Sequence, residues 1–213
     1  LRETGSFHDT FLRALRILLA VIWPMMLGLA VLSGPFIYHL YGEKWLEAAL
    51  PLSLLMIASF VVLGVGMNWQ VFVLRGETRR QVVLEAIRSV AGFVLFCLGC
   101  LVSLPMAAAA KIGESLITYF IYRPHMDRLI GTSRGELDRV YGEALLLSAA
   151  AVLPALLLMI WEDWSPRAPL WMAAAAVALG ILLWAMVVVV RRHVLLEEFQ
   201  RLLAPLKARL ARA

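Results

Sequence analysis

A chain of 213 residues that is 62% hydrophobic and only 16% charged, with a mean hydropathy of +0.82, stands apart from water-soluble domains, which run near 45–50% apolar and about 25% charged. Its net charge of +5 and pI near 9.6 would point to nucleic acid in a soluble protein, but no nucleic-acid motif occurs, and most basic residues sit in short segments between apolar runs. A soluble globular domain of any size is excluded, and the composition calls for an all-α, polytopic transmembrane helix bundle of about six spans.

The chain opens at Leu1 on a polar, charged stretch, residues 1–14, with no signal-peptide pattern. This stretch reads as a cytoplasmic segment, and the whole as part of a longer protein. The first apolar run, residues 15–40, contains Pro24 and Pro35 and predicts a kinked span. After the polar step 41–45, a second run covers residues 48–74, with Pro51 near its start and Gly64 and Gly66 inside, small residues that permit close helix contact. Arg75 to Arg80 end it. A third run, residues 82–104, carries Glu85 and Arg88 near its beginning, and Cys97 and Cys100, which read as buried helix cysteines rather than a redox pair.

Pro105 marks a tight turn into a fourth run, residues 106–122, whose opening Ala107 to Ala110 suits an interior helix. The longest polar segment, residues 123–142, holds Pro124, Gly131, Gly135 and four arginines and predicts a loop with room for one short helix. Arg123 and His125 at its start read as topology signals. A fifth span covers residues 144–161, a link 162–167 turns the chain, and a sixth span covers residues 170–190. Residues 191–213 form a basic tail in which Val194, Leu195, Phe199, Leu202, Leu203 and Leu206 recur at helical spacing opposite Arg201, Lys207, Arg209 and Arg212. That pattern predicts an amphipathic helix along the cytoplasmic membrane surface.

Sixteen of the twenty Lys and Arg residues fall in residues 1–16, 75–80, 123–142 and 191–213, against Lys44 and Arg167 in the opposite loops. The positive-inside rule makes those four segments cytoplasmic, puts both ends of the chain inside and requires an even number of spans. Trp45, Trp161, Trp164 and Trp171 fall near the proposed outer ends, where indole rings favour the headgroup boundary.

Two ionisable pairs lie within spans, Glu85 with Arg88 and Lys111 with Glu114, each spaced i to i+3 so that the partners share a helix face. An unpaired charge at mid-bilayer costs roughly 2.5–3.5 kcal/mol on insertion scales, so such residues face a bundle interior or a water-filled cavity unless they snorkel to headgroups. Arg88 and Lys111 lie within reach of either arrangement, and Glu85 fits the cytoplasmic boundary better. Asn68 and Gln70 are further polar side chains in an apolar run, able to bond a neighbouring helix or a sugar hydroxyl. The sequence shows no metal-ligand spacing, no phosphate-binding loop and no nucleophile motif. No catalytic residue, metal or cofactor is therefore assigned, and the chain is not expected to be an enzyme.

The segment Tyr41-Gly42-Glu43-Lys44-Trp45, followed by Ala48, Ala49, Leu50 and Pro51, resembles the polysaccharide flippase family of the multidrug, oligosaccharidyl-lipid and polysaccharide exporter superfamily. In that family an apolar helix ends in a pattern like Leu-Phe-Gly-x-x-Trp, and the next opens with small residues and a proline. Tyr41 stands here where Phe is usual. Arg75-Gly76-Glu77-Thr78 sits where the family has a short glycine-containing cytoplasmic turn. The resemblance implies the C-terminal part of a two-bundle transporter of about 12–14 helices in the bacterial cytoplasmic (inner) membrane. It implies a function in flipping a lipid-linked oligosaccharide for O-antigen, capsule or exopolysaccharide assembly by alternating access, with membrane lipids and other assembly proteins as partners.

Arg88 and Lys111 would then meet the pyrophosphate, with Glu85, Glu114, Asn68 and Gln70 as further pathway candidates. A cation-coupled drug antiporter of the same superfamily is the alternative, with Glu114 as its acid. A membrane glycosyltransferase or polymerase is a third reading, which the arginine-interleaved acids Asp127, Glu136 and Asp138 do little to support.

Overall fold

The computed structural model describes residues 2–133 and 135–196, with side chains from residue 7 onward. It contains eight α-helices and no strand among the described residues: α1 Arg2–Val31, α2 Ser33–Tyr41, α3 Ala49–Leu63, α4 Asn68–Leu74, α5 Thr78–Cys100, α6 Leu104–Ile130, α7 Glu136–Trp161 and α8 Leu170–Val190, with a 3₁₀ segment Glu43–Ala48 before α3. Helix packing places the long elements in a row, α5–α6–α3–α1–α7–α8.

Among the described residues, five stretches are long and apolar enough to cross a membrane: Phe7–Val31, Glu43–Leu74, Thr78–Cys100, Glu136–Trp161 and Leu170–Val190. α6 is less apolar because Lys111 and Glu114 lie inside it, but at 27 residues it is about 40 Å long and packs between α3 and α5. The molecule is therefore an all-α bundle of about six spans.

The helix bounds differ from the apolar runs for identifiable reasons. α1 begins at Arg2, so the polar opening stretch 1–14 is not separate from the first span over its described residues. Pro35 cannot donate to Val31, and the first span resets at Leu32 between α1 and α2. Pro24 stays inside α1; the carbonyl of Ala20, which it leaves free, accepts a hydrogen bond from Trp184 Nε1 at 2.8 Å. In the second span Gly64, Val65 and Gly66 tighten into i to i+3 bonds that separate α3 from α4.

Most of the segment 123–142 is helix rather than loop. α6 runs through Pro124 to Ile130, and α7 starts at Glu136. Tyr122, Met126, Leu129 and Ile130 continue one buried stripe of α6, while Leu137, Val140, Tyr141 and Ala144 open the buried stripe of α7. One lost backbone bond at Pro124 is outweighed by that burial, at roughly 1.5–3 kcal/mol per large apolar side chain. Gly131, at φ 75°, ends α6 with its N–H on Asp127 O.

The start of α6 follows the expectation of a tight turn: Ser103 caps it by accepting from Met106 N–H at 3.2 Å, and Pro105 sits in the first turn. Cys97 and Cys100 are free thiols on the outward face of α5, not buried, because α5 turns its glycine face to α6. Of the amphipathic tail, Val194 and Leu195 are helical; Phe199, Leu202, Leu203 and Leu206, with the basic residues opposite them, lie outside the described residues.

The main core lies toward one end of the bundle, where Phe11, Leu15 and Leu19 of α1 meet Phe72, Tyr122, Met126 and Leu137. A ring cluster adjoins it: Trp23 stands 4.4 Å from Phe60 and 5.9 Å from Tyr141 between centroids. The Tyr141 hydroxyl donates to Gly64 O at 2.7 Å, which pins α7 to the break between α3 and α4.

Candidate functional site

α5 and α6 pack antiparallel in a register that sets Gly99 against Ala107, Gly92 against Glu114 and Glu85 against Tyr122. A Cβ on Gly99 would stand 2.7 Å from Ala107 Cα, and one on Gly92 would stand 2.6 Å from Glu114 Oε2. Glycine at both positions is what lets the α6 backbone and the Glu114 carboxylate come this near. The contacting positions of α5, namely Gln81, Glu85, Arg88, Gly92 and Gly99, follow three- and four-residue steps that keep them on one face.

Into that seam the four intramembrane charges converge. Glu114, whose side chain is 9% exposed, accepts from Arg88 Nη1 through Oε1 at 2.6 Å and from Lys111 Nζ through Oε2. Arg88 turns its other edge to Glu85, donating from Nε to Oε2 at 3.0 Å and from Nη2 to Oε1. The Tyr122 hydroxyl donates to Glu85 Oε2 at 3.2 Å. Two cations and two carboxylates thus form a single network whose charges cancel.

The network is graded in exposure. Arg88 is 27%, Lys111 40% and Glu85 43% exposed at the side chain, so a buried carboxylate anchors three groups that open outward. The heads of Arg88 and Lys111 end on these carboxylates within the helix pair.

Asn68 begins α4, donates to Val65 O at 2.9 Å and accepts from Gln81 Nε2 at 3.1 Å, so its amide ties α4 to α5. Gln70 is exposed on α4 and does not join the network. Arg123 is ion-paired with Asp127, donates to Asp138 at 2.8 Å and lies over the Tyr141 ring at 5.6 Å. His125 has Nδ1 2.8 Å from Ile121 O and its ring beside Phe72. Both residues belong to the packing of α6 against its neighbours.

Gln81, Gly92 and Tyr122 complete the seam and are not among the candidates that the sequence offers. The spacing in α5 signals Gln81 and Gly92, since polar or small residues at 81, 85, 88, 92 and 99 recur on one face; Tyr122 lies on α6 and has no such signal.

The charges outside the membrane also segregate. Arg128 with Glu77, Arg80 with Glu77, Arg16 with Glu143 and His8 with Glu136 gather at one end. At the other end Arg167 pairs with Glu43 and His39 Nε2 lies 2.8 Å from Ala168 O, beside the exposed Trp45, Trp161, Trp164 and Trp171. An excess of arginine at one end, with few cations at the other, fits a membrane-crossing bundle.

Residues 2–50 match the family described as polysaccharide biosynthesis protein. The chain is similar to polysaccharide biosynthesis proteins. Among curated relatives it is 27% identical over 120 residues to the teichuronic acid biosynthesis protein TuaB of Bacillus subtilis (strain 168), a match that covers 56% of this chain and 23% of that protein. The match therefore spans about a quarter of the relative's length. No solved structure gives a significant match. The polysaccharide biosynthesis match takes in α1, α2 and the 3₁₀ segment, and the α5–α6 network lies beyond it.

Proposed function

We propose that this chain is part of a multi-pass transporter of the bacterial cytoplasmic membrane that flips a lipid-linked oligosaccharide during polysaccharide assembly. The observation that carries the reading is the charge-balanced network Glu85, Arg88, Glu114 and Lys111, set inside the bundle and open on one side. It occurs in a chain similar to polysaccharide biosynthesis proteins.

Transport breaks no bond, so it needs no acid, base or nucleophile; it needs donors that hold a polyanion transiently in a place where charge is costly. Arg88 and Lys111 are donors only, and a guanidinium fits phosphate oxygens in the same forked geometry as it fits Glu85. A diphosphate arriving from the open side displaces Glu85, the more exposed carboxylate, while Glu114 keeps Arg88 and Lys111 in place. As the bundles rock, Glu85 returns to Arg88 and the anion leaves. The network provides a neutral resting state at both ends of the cycle.

The drug-antiporter alternative fits less well. Both Glu114 oxygens already accept from cationic donors, which leaves none for a coupling ion. Nor do the acids of α6 and α7 favour a membrane glycosyltransferase, since Asp127 and Asp138 are occupied by Arg123.

The test is deletion of the encoding gene, followed by assay of lipid-linked repeat units on the cytoplasmic leaflet and of surface polysaccharide. Flipping predicts accumulation of the first and loss of the second, with Arg88→Ala failing to complement although the variant is made at normal levels. Surface polysaccharide that persists while drug sensitivity rises would overturn the flippase reading in favour of the antiporter.

A further inference from the structure

At the basic end of the bundle, α1, α7 and α8 surround a cleft of about 600 Å³. Arg16 reaches it from α1, Arg139 and Glu143 from α7, and Arg191, Arg192 and His193 from the turn that closes α8. Four guanidiniums thus face one carboxylate among the described lining residues, with Arg16 Nε 3.8 Å from Glu143 Oε2. Burial holds His193 below the ordinary histidine value, so near neutral pH it is a hydrogen-bonding group rather than a further charge. Its Nδ1 accepts from Leu195 N–H at 3.3 Å, which leaves Nε2 as a donor.

Two details show that this cleft is more than a solvated basic surface. Arg16 Nε is buried and has no hydrogen-bond partner among the described residues, and an acceptor oxygen in the cleft would satisfy it. Arg192 takes a left-handed backbone, φ 47°, at a helix end where glycine is favoured, so an arginine occupies the position at a conformational cost.

One helical turn further along the same three helices lies an apolar groove of about 500 Å³, walled by Val21, Met25, Leu29, Val177, Ile181 and Trp184. The absence of side chains helps form it: a Cβ on Gly28 would meet nothing within 4 Å. Trp184, held by its bond to Ala20 O, fixes one wall. Arg191 and Val177 are fourteen residues apart, about 21 Å along a helix, which is half of a bilayer of roughly 40–45 Å counted with its headgroups. Cleft and groove together have the depth of one leaflet.

We propose that the α1–α7–α8 cleft and groove hold one anionic phospholipid of the leaflet at the basic end, its phosphate among Arg16, Arg139, Arg191 and Arg192 and an acyl chain along α1 and α8. A zwitterionic lipid would bring a cation among the arginines, inorganic phosphate would leave the groove unused, and a long polyprenyl chain would overrun a groove of leaflet depth. The site is separate from the α5–α6 network and does not depend on the flippase reading.

The test uses the full-length protein that contains this chain, delipidated in detergent and titrated with dioleoyl phosphatidylglycerol, with bound lipid counted by native mass spectrometry. One phosphatidylglycerol is retained in preference to phosphatidylcholine of the same chains. Arg191→Gln and Arg192→Gly each weaken retention about fivefold, and Arg192→Gly does so with unchanged or raised thermal stability because glycine suits the backbone there. Ile181→Trp, which fills the groove, weakens retention as well. Equal retention of phosphatidylcholine, stabilisation by inorganic phosphate alone to the same degree, displacement by a polyprenyl phosphate at lower concentration, or arginine variants that retain phosphatidylglycerol like the parent would each overturn the assignment.

Discussion

Among the described charged residues Glu114 holds a position of its own: its side chain is 9% exposed and each of its oxygens serves a different cation. Removing the charge of a buried partner costs far more than loosening an exposed pair, because the groups left behind remain in a medium that cannot solvate them. Glu114→Gln leaves Arg88 and Lys111 to share Glu85, and should lower unfolding stability by roughly 3 kcal/mol. Lys111→Ala removes a 40% exposed ammonium, and after solvent screening should cost no more than about 1 kcal/mol. Denaturant titration of the two purified variants in one detergent checks the order; equal losses would mean that Glu114 is not the anchor. The sequence exposed both pairs through their i to i+3 spacing, since that geometry is local to one helix. It held no sign of the Arg88 to Glu114 bond between helices, because the α5–α6 register comes from packing, nor of Tyr122, whose hydroxyl gains meaning only once Glu85 stands opposite.

At the scale of elements, that register is set by the glycine face of α5. Gly99 meets the α6 backbone at Ala107, where a Cβ would come within 2.7 Å of Cα, whereas a Cβ on Gly113 would find only Leu95 Cδ1 at 3.6 Å. A backbone atom cannot turn aside as a side-chain end can, so Gly99→Ala must pry the hairpin open. It should cost about 1–3 kcal/mol and move Arg88 away from Glu114. Gly113→Ala should be neutral, or stabilising by up to about 1 kcal/mol through helix propensity. Thermal unfolding of the pair of variants separates close packing from a general effect of alanine, and a Gly99→Ala protein as stable as its parent would refute the close contact. The same comparison of local and long-range effects explains where element reading succeeded. Reading apolar runs leads to an all-α bundle of about six spans, because a membrane core demands continuous hydrophobicity; five of the described stretches meet that demand by themselves and α6 does not. That reading misses the length of α6 and α7, because Arg123, Arg128 and Arg139 interleave with Met126, Leu129 and Leu137, and a buried stripe beneath charged neighbours looks polar when averaged.

For the whole molecule, the decisive asymmetry is between its two ends. Arg16, Arg75, Arg80, Arg128, Arg139 and Arg191 collect at one end, and the exposed Trp45, Trp161, Trp164 and Trp171 at the other. Lys and Arg resist transfer across the membrane, while indole rings settle at either headgroup layer, so the charges and not the rings set direction. The basic end should therefore face the cytoplasm, with the turn at Thr132 inside and the link at Ser165 outside. In a protein with Cys97 and Cys100 replaced by alanine, Thr132→Cys should react with a membrane-impermeant maleimide only after cells are opened, and Ser165→Cys should react in intact cells. Both sites lie in short turns, Thr132 next to Gly131 and Ser165 next to Pro166, where a new side chain disturbs little packing. Labelling in the reverse pattern would place the arginines outside, and with them the cleft of α1, α7 and α8, in the leaflet where a positive surface has no topological reason to be. Labelling of both sites from the same side would break the bundle itself, because α7, the helix between them, would then have to enter and leave the membrane at one face.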